Sequence, residues 1–220
     1  MVLANSRKPP GRCIAGIEIN NDGSLGNWVR PWDINSIKKN GGLSKSNLNS
    51  QNDVEIKNLD IVSFKYFERN SDNRYQFENV HISPKRFQNI FFHTGKFKKE
   101  LLPPKIEMNL PWPAGSSSYG HLNNRIHESE LKGITRSLCL IQRDVEISAF
   151  YKYDGKKALA AKFDENNYEV KADITCPLIE EQLALEVGQD PIILPNAIMC
   201  VSLGEMYKGF CYKLVASIIL

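Results

Sequence analysis

The 220-residue sequence lacks most of the features from which a chemical activity is read. Its five cysteines, Cys13, Cys139, Cys176, Cys200 and Cys211, form no CxxC or CxxH pair. A structural zinc site needs clustered ligands, so no metal is expected. An odd number of scattered thiols without a secretory leader points to a reducing, cytoplasmic setting. All but Cys13 sit among apolar neighbours, where a thiol serves as a small hydrophobe. No uninterrupted apolar run approaches the roughly 20 residues of a membrane span, which predicts a soluble chain without membrane contact. A phosphate-binding glycine loop, HExxH and GxSxG are all absent. His121 and His127 lie six residues apart, a spacing that does not bring both imidazoles to one helix face. Cys13 would make a nucleophile with His81, His93 or His121 as base, oriented by Asp33 or Asp60, but the spacing favours none of the histidines. The expectation is a chain that is not an enzyme and takes no cofactor.

What the sequence does hold is strand. Apolar residues make up 42% and aromatics 10%, enough for a real core, and the pattern is period two in short runs bounded by Gly, Asn, Asp and Pro. Residues 12–19 and 27–32 read as a hairpin closed at Gly23 and Gly26. Residues 35–53 read as a solvated loop. Strands are expected over 59–69 and 75–83, and a short helix with a loop over 84–102. The proline-rich and Gly/Ser-rich stretch 106–130 reads as a connection between domains or a long surface loop. Strands resume after Leu131, with a turn at Asp154-Gly155, a helix opened by Pro177 and stopped by Gly188, and a closing hairpin to the last residue.

This gives three parts: a basic N-terminal barrel over 1–105, the connection over 106–130 and an acidic C-terminal barrel over 131–220. The charges follow the division. Residues 1–105 hold 17 Lys and Arg against 10 Asp and Glu, while 106–220 hold 11 against 15. The net charge of +3 hides this asymmetry, and the first half is the one expected to face an anion. Strands, a helix and a closing pair are the plan of the OB-fold, although periodicity alone does not separate it from an SH3-like barrel or a small sandwich.

Particular stretches narrow the choice. "SRKPPGRCIAG" with "GNWVRP", then "ITRSLCLI", "FDENNYEVKADITCP" and "FCYKLVASII" together resemble the dual OB-containing domain family, bacterial proteins with two OB-folds in tandem. The resemblance runs from Ser6 to about Ile219. It implies a mainly β chain of two tandem OB-like β-barrels with short helices and long loops. It also implies nucleic-acid binding, in the setting of phage defence or DNA metabolism. Where such chains more often carry paired glycines before the cysteine, this one has "PPGRC", a stiffer approach that weakens any reading of a flexible phosphate cradle.

The residues expected to carry binding are in the first half. Alternation sets Trp28, Arg30 and Trp32 on one face of a strand beside Arg12, with Lys8 in the basic lead-in. An arginine between two indoles would offer stacking for bases and charge for the backbone. The competing reading makes Trp28 a core plug and Arg30 its ion-paired neighbour, with Asp33 or Glu18 as partner. Lys65, Phe67, Arg69 and Arg74 form a second interleaved set. The partner expected is single-stranded DNA or RNA. A protein docked on the acidic half, or a nucleotide-like small molecule held by Arg12, Trp28 and Arg30, are the alternatives.

Overall fold

The computed structural model describes residues 1–36, 40–44, 48, 55–68, 75–82 and 92–220. The chain is mainly β and divides into two compact units, Met1–Lys105 and Ile106–Leu220.

The first unit opens with β1 (Val2–Lys8), β2 (Gly11–Ile19) and β3 (Leu25–Asp33), followed by β4 (Asp60–Ser63), β5 (Asn79–Ile82) and β6 (Phe92–Lys96). The first three form an antiparallel meander, and β3 runs parallel to β5 in a sheet of order β1-β2-β3-β5. A second sheet joins β4 to β6, and the amide of Leu59, just before β4, donates to Val2 O at 2.8 Å. Val2, Ile14, Leu43, Leu48, Ile56 and Ile82 form the core, with Val62 and Phe64 packed against it. Gly16 is required there, because a Cβ would lie 1.9 Å from Met1 O.

Three local expectations change in this unit. The basic lead-in is the end of a strand, with Ser6, Arg7 and Lys8 paired to Cys13, Arg12 and Gly11. The strands expected over 59–69 and 75–83 are four residues each, Asp60–Ser63 and Asn79–Ile82. Of the stretch 84–102, expected to hold a short helix and a loop, 84–91 lies outside the described residues, Phe92–Lys96 is strand and Lys99–Leu101 is a single 3-10 turn.

The second unit contains β7 (Ser116–Ser118), β8 (His121–His127), β9 (Leu138–Tyr151), β10 (Lys157–Glu165), β11 (Tyr168–Ile174), α1 (Pro177–Leu183), β12 (Ile192–Tyr207) and β13 (Phe210–Ile219). Its pairings close a circuit: β9 with β10, β10 with β11, β11 parallel to β13, β13 with β12, and β12 back to β9. Five strands in a ring, with a helix between the third and fourth, make an OB barrel. Pro177 stands in the first turn of α1, where its missing N–H leaves no bond unmade. The helix ends at Ala184 in the left-handed region, short of Gly188.

The stretch 106–130 is not a bare connection. Its second half supplies β7 and β8, and β8 pairs with β11 through Leu122 and with β13 through Arg125–His127. Its first half is strapped to the barrel by side chains. Glu165 accepts from Leu110 N at 2.9 Å, Trp112 Nε1 donates to Arg136 O at 2.8 Å, and Arg136 and Glu107 form a two-point ion pair. Alternation along β13 turns Cys211, Lys213 and Val215 inward, so the Lys213 ammonium must find partners inside. It donates to Pro113 O and Ala114 O, each at 2.7 Å. Burial lowers its pKa from the ordinary 10.5 to about 8. All five cysteines are free, and all but Cys13 are buried.

Candidate nucleic-acid interface

The residues expected to bind in the first unit do not form one surface. Arg30 is 4% exposed. It lies 3.2 Å from Glu78, itself buried, and donates to Asn79 Oδ1 at 3.2 Å. The parallel pairing of Arg30 with Asn79 brings these partners alongside, so an arginine expected to face water between two indoles is an interior ion pair. Glu78 is an acidic partner that the sequence reading did not name. Trp28 is half-buried opposite Ile17. Trp32 is half-buried too, with the Lys8 Nζ 4.2 Å from its ring centre. The ring covers Gly41, where φ is +68° and a Cβ would come within 2.1 Å of the indole. Arg12 exchanges both backbone bonds with Leu43 at 2.8 Å. Lys8 and Trp32 are thus together, Lys65 and Phe67 are exposed, and Arg69 and Arg74 lie outside the described residues.

The first unit also holds a groove of about 320 Å³ between β2–β3 and β4–β6, lined among others by Ile17, Val29, Pro31, Ile61 and Phe64. Arg12, Trp28 and Arg30 are not in its lining, so the three do not grip a small molecule there.

In the second unit, the outer surface of β10–β11 is the place where OB-folds commonly take oligonucleotides. Cross-strand pairing sets Lys162 against Lys171, Asp164 against Glu169 and Ala160 against Asp173, two cations with three carboxylates. The surrounding lysines are mostly spoken for. Lys152 reaches Asp173 at 2.7 Å, Lys156 reaches Asp154 at 2.6 Å, Lys157 reaches Glu186 at 2.5 Å and Lys162 reaches Glu169 at 2.8 Å. Asp173 also takes His121 Nε2 at 2.6 Å. Burial alone would raise its pKa, but the hydrogen bonds from His121 and Lys152 outweigh that and hold it below the ordinary 3.8. Apart from Lys171, the lysines of this face are matched by carboxylates.

The outer surface over β12, β13 and β8 is different. Register puts Tyr207 opposite Phe210 and Phe210 opposite His127, then Tyr212 opposite Arg125 and Arg125 opposite Ser116. Because Cys211 and Lys213 point inward, these side chains share the outward face. The Arg125 guanidinium lies 4.2 Å from the Phe210 ring centre while its Nε donates to Ser116 Oγ at 3.1 Å. The His127 ring meets Phe210 edge-on at 5.1 Å. Its Nδ1 accepts from Ser129 N at 3.3 Å, which leaves Nε2 to carry the proton of the neutral ring. Lys208, in the β12–β13 turn, lies 5.4 Å from the Tyr207 ring centre. Among the described residues no carboxylate lies within ion-pair distance of Arg125, Lys208 or Lys171. Arginine and aromatics in one fixed plane stack bases, and unpaired cations beside them attract phosphate.

Sequence reasoning passed over this set. "HLNNRIH" drew attention for its histidines, and the alternation of Phe210 and Tyr212 with Cys211 and Lys213 read only as a buried closing strand. The available signal was that alternation itself, which turns two aromatics outward beside a Tyr-Lys-Gly turn.

The chain belongs to the dual OB-containing domain family: the family's model matches residues 1–218, essentially its whole length. It is a pair of tandem OB-like domains. No curated protein and no solved structure matches it. No helix of the described residues is long and apolar enough to cross a membrane.

Proposed function

We propose that this chain is a non-catalytic module for single-stranded nucleic acid, with its main contact on the second barrel. The observation that carries the reading is Arg125, a guanidinium seated on Phe210, tethered to Ser116 and left without a carboxylate. A cation held this way has lost its side-chain freedom before any ligand arrives, so little further ordering opposes binding. Tyr207, Phe210 and Tyr212 add ring faces beside it. Lys8 on Trp32, with Lys65 and Phe67, is the first unit's remaining contribution. A cytoplasmic location and a part in bacterial phage defence or DNA metabolism, which the family resemblance implies, complete the reading.

The test is binding of labelled single-stranded DNA, single-stranded RNA and duplex DNA at about 50 and about 200 mM salt. Single strands should bind best and weaken steeply with salt, because each neutralised phosphate releases counterions. Arg125→Ala should reduce affinity about tenfold or more, given stacking of about 1–3 kcal/mol per base, with the thermal midpoint nearly unchanged. Association that ignores salt, or an Arg125→Ala protein that binds as well as the parent, overturns the reading.

A further inference from the structure

Three cations of the second unit without a carboxylate partner, Lys208, Arg125 and Lys171, follow the course of β8. Lys208 sits in the turn beside Tyr207, Arg125 sits on β8, and Lys171 pairs with Leu122 further along the same strand. A strand of period two would put Leu122 and Arg125 on opposite faces. Asn123 prevents this. Its φ is +47°, its Nδ2 donates to Glu169 O at 2.8 Å, and its N–H donates to Ser117 Oγ at 3.1 Å. The left-handed residue acts as a bulge and resets the alternation. Leu122, opposite outward Lys171, and Arg125, opposite outward Tyr212, therefore share one surface.

This course ends in a second aromatic set. Asp173 Oδ1 takes His121 and Asp173 Oδ2 takes Lys152, while His121 meets the Phe150 ring at 5.0 Å. These bonds fasten the β7–β8 turn, which carries Tyr119, to the end of the β9–β10 hairpin, where Tyr151 closes β9 and Tyr153 lies in the turn. The three rings are 91%, 64% and 105% exposed. Exposed tyrosines offer large rigid faces at low cost in conformational entropy. From His121 to His127 the strand covers roughly 20 Å at about 3.3 Å per residue, which suits the lower part of the roughly 4–16 nucleotides held by one OB-fold.

We infer that the ligand strand follows β8, from Tyr207 and Arg125 at one end past Lys171 to the tyrosines at the other, and does not lie across the β10–β11 face. The occupant is then a strand of about four or more nucleotides, not a mononucleotide. This path rests on the function proposed above. The added strand β8, which lies outside the five-strand ring, becomes the rail of the site. The rest of the β10–β11 face, where Lys162 is paired with Glu169, stands beside it.

The experiment measures the anisotropy of labelled oligothymidylates of about two, four, eight and twelve nucleotides. The proteins are the full chain, Arg125→Ala, Lys171→Gln, a Tyr119→Ser/Tyr153→Ser double variant and, as a control at a lysine already paired with a carboxylate, Lys157→Gln. Circular dichroism confirms that each is folded. The path predicts affinity that climbs from two to about eight nucleotides. Arg125→Ala should weaken every length. The tyrosine variant should weaken the longer strands several-fold and leave the shortest unchanged, and Lys157→Gln should bind like the parent. Equal affinity at every length, or a loss with Lys157→Gln that matches Arg125→Ala, overturns the path while the nucleic-acid reading stands. Binding at no length overturns both.

Discussion

Arg30 in the first unit and Arg125 in the second both stand on strands near aromatic rings, and the chain uses them in opposite ways. Arg30 has Trp28 and Trp32 two positions away on its own strand, yet its guanidinium turns to Glu78 and Asn79 in the interior. Arg125 has no aromatic neighbour in its own stretch of sequence and acquires Phe210 and Tyr212 across a strand pairing. The difference is in what lies alongside. A parallel strand, preceded by the buried carboxylate of Glu78, runs alongside the first, whereas the second stands within the short hairpin β7–β8, where its partner strand contributes a serine hydroxyl. Adjacency in sequence makes Arg30 conspicuous, and adjacency in register seats Arg125 on Phe210.

The sharpest break between the two is in stability. Arg30→Ala leaves the Glu78 carboxylate buried without its cation, and removing one partner of a buried pair costs about 3–5 kcal/mol. Urea denaturation of the full chain should show a transition moved to lower denaturant for Arg30→Ala and hardly displaced for Arg125→Ala. Replacing Arg30 and Glu78 together by methionine should recover part of the loss, since an apolar pair of similar volume removes both charges of that pair. If Arg30→Ala is as stable as the parent and instead loses nucleic-acid affinity, the two arginines have been assigned the wrong way round.

The same contrast explains what could be read from the sequence. The ring of the second unit was legible because β9, β10 and β11 are alternating runs separated by turn residues at Asp154-Gly155 and Asn166. The first strand was not. Its alternation is masked by Asn5 and Ser6, polar residues that are buried, with the Asn5 amide donating to Ile56 O at 2.8 Å. The strap over 106–114 looked like a connection because its own residues form no regular element. What binds it is Glu165, Arg136 and Lys213, each distant in the chain. Alternation told which side chains of β3 share a face. It carried no information on which strand would run alongside β3 and bring Glu78 and Asn79 to Arg30.

Lys213 extends the comparison to a buried cation with no carboxylate hydrogen-bonded to it. Arginine keeps its proton in any interior, but lysine can give it up, and the lowered pKa of Lys213, about 8, expresses this. Below about pH 8 both the folded and unfolded chains carry the charge, and the fold bears the full desolvation penalty. Between about 8 and the ordinary 10.5 the unfolded chain holds more protons, so stability from this group rises with pH across that window. The rise is on the order of 2–3 kcal/mol. Unfolding measured from pH 7 to pH 10 should show this upward component in the parent and lose it in Lys213→Met. A Lys213→Met protein whose pH profile parallels the parent would place the ammonium in contact with water.

The smallest effects should come from the cations already matched at the surface. Lys156 and Lys157 belong to the most basic-looking turn of the second unit, "YKYDGKK", and by sequence alone would rank above Arg125 as phosphate ligands. Each is bound to a carboxylate, Asp154 at 2.6 Å and Glu186 at 2.5 Å, so a phosphate would have to displace an existing partner and would gain only the difference. Exposed pairs of this kind are weak and screened by salt, which means that removing either lysine releases an acid as well as a base. Lys156→Ala should therefore leave the salt slope of binding almost unchanged, while Lys171→Ala, with no carboxylate to release, should reduce the slope by roughly one counterion. Equal slopes for the two variants would show that ion pairing on this barrel does not decide which lysines meet the ligand.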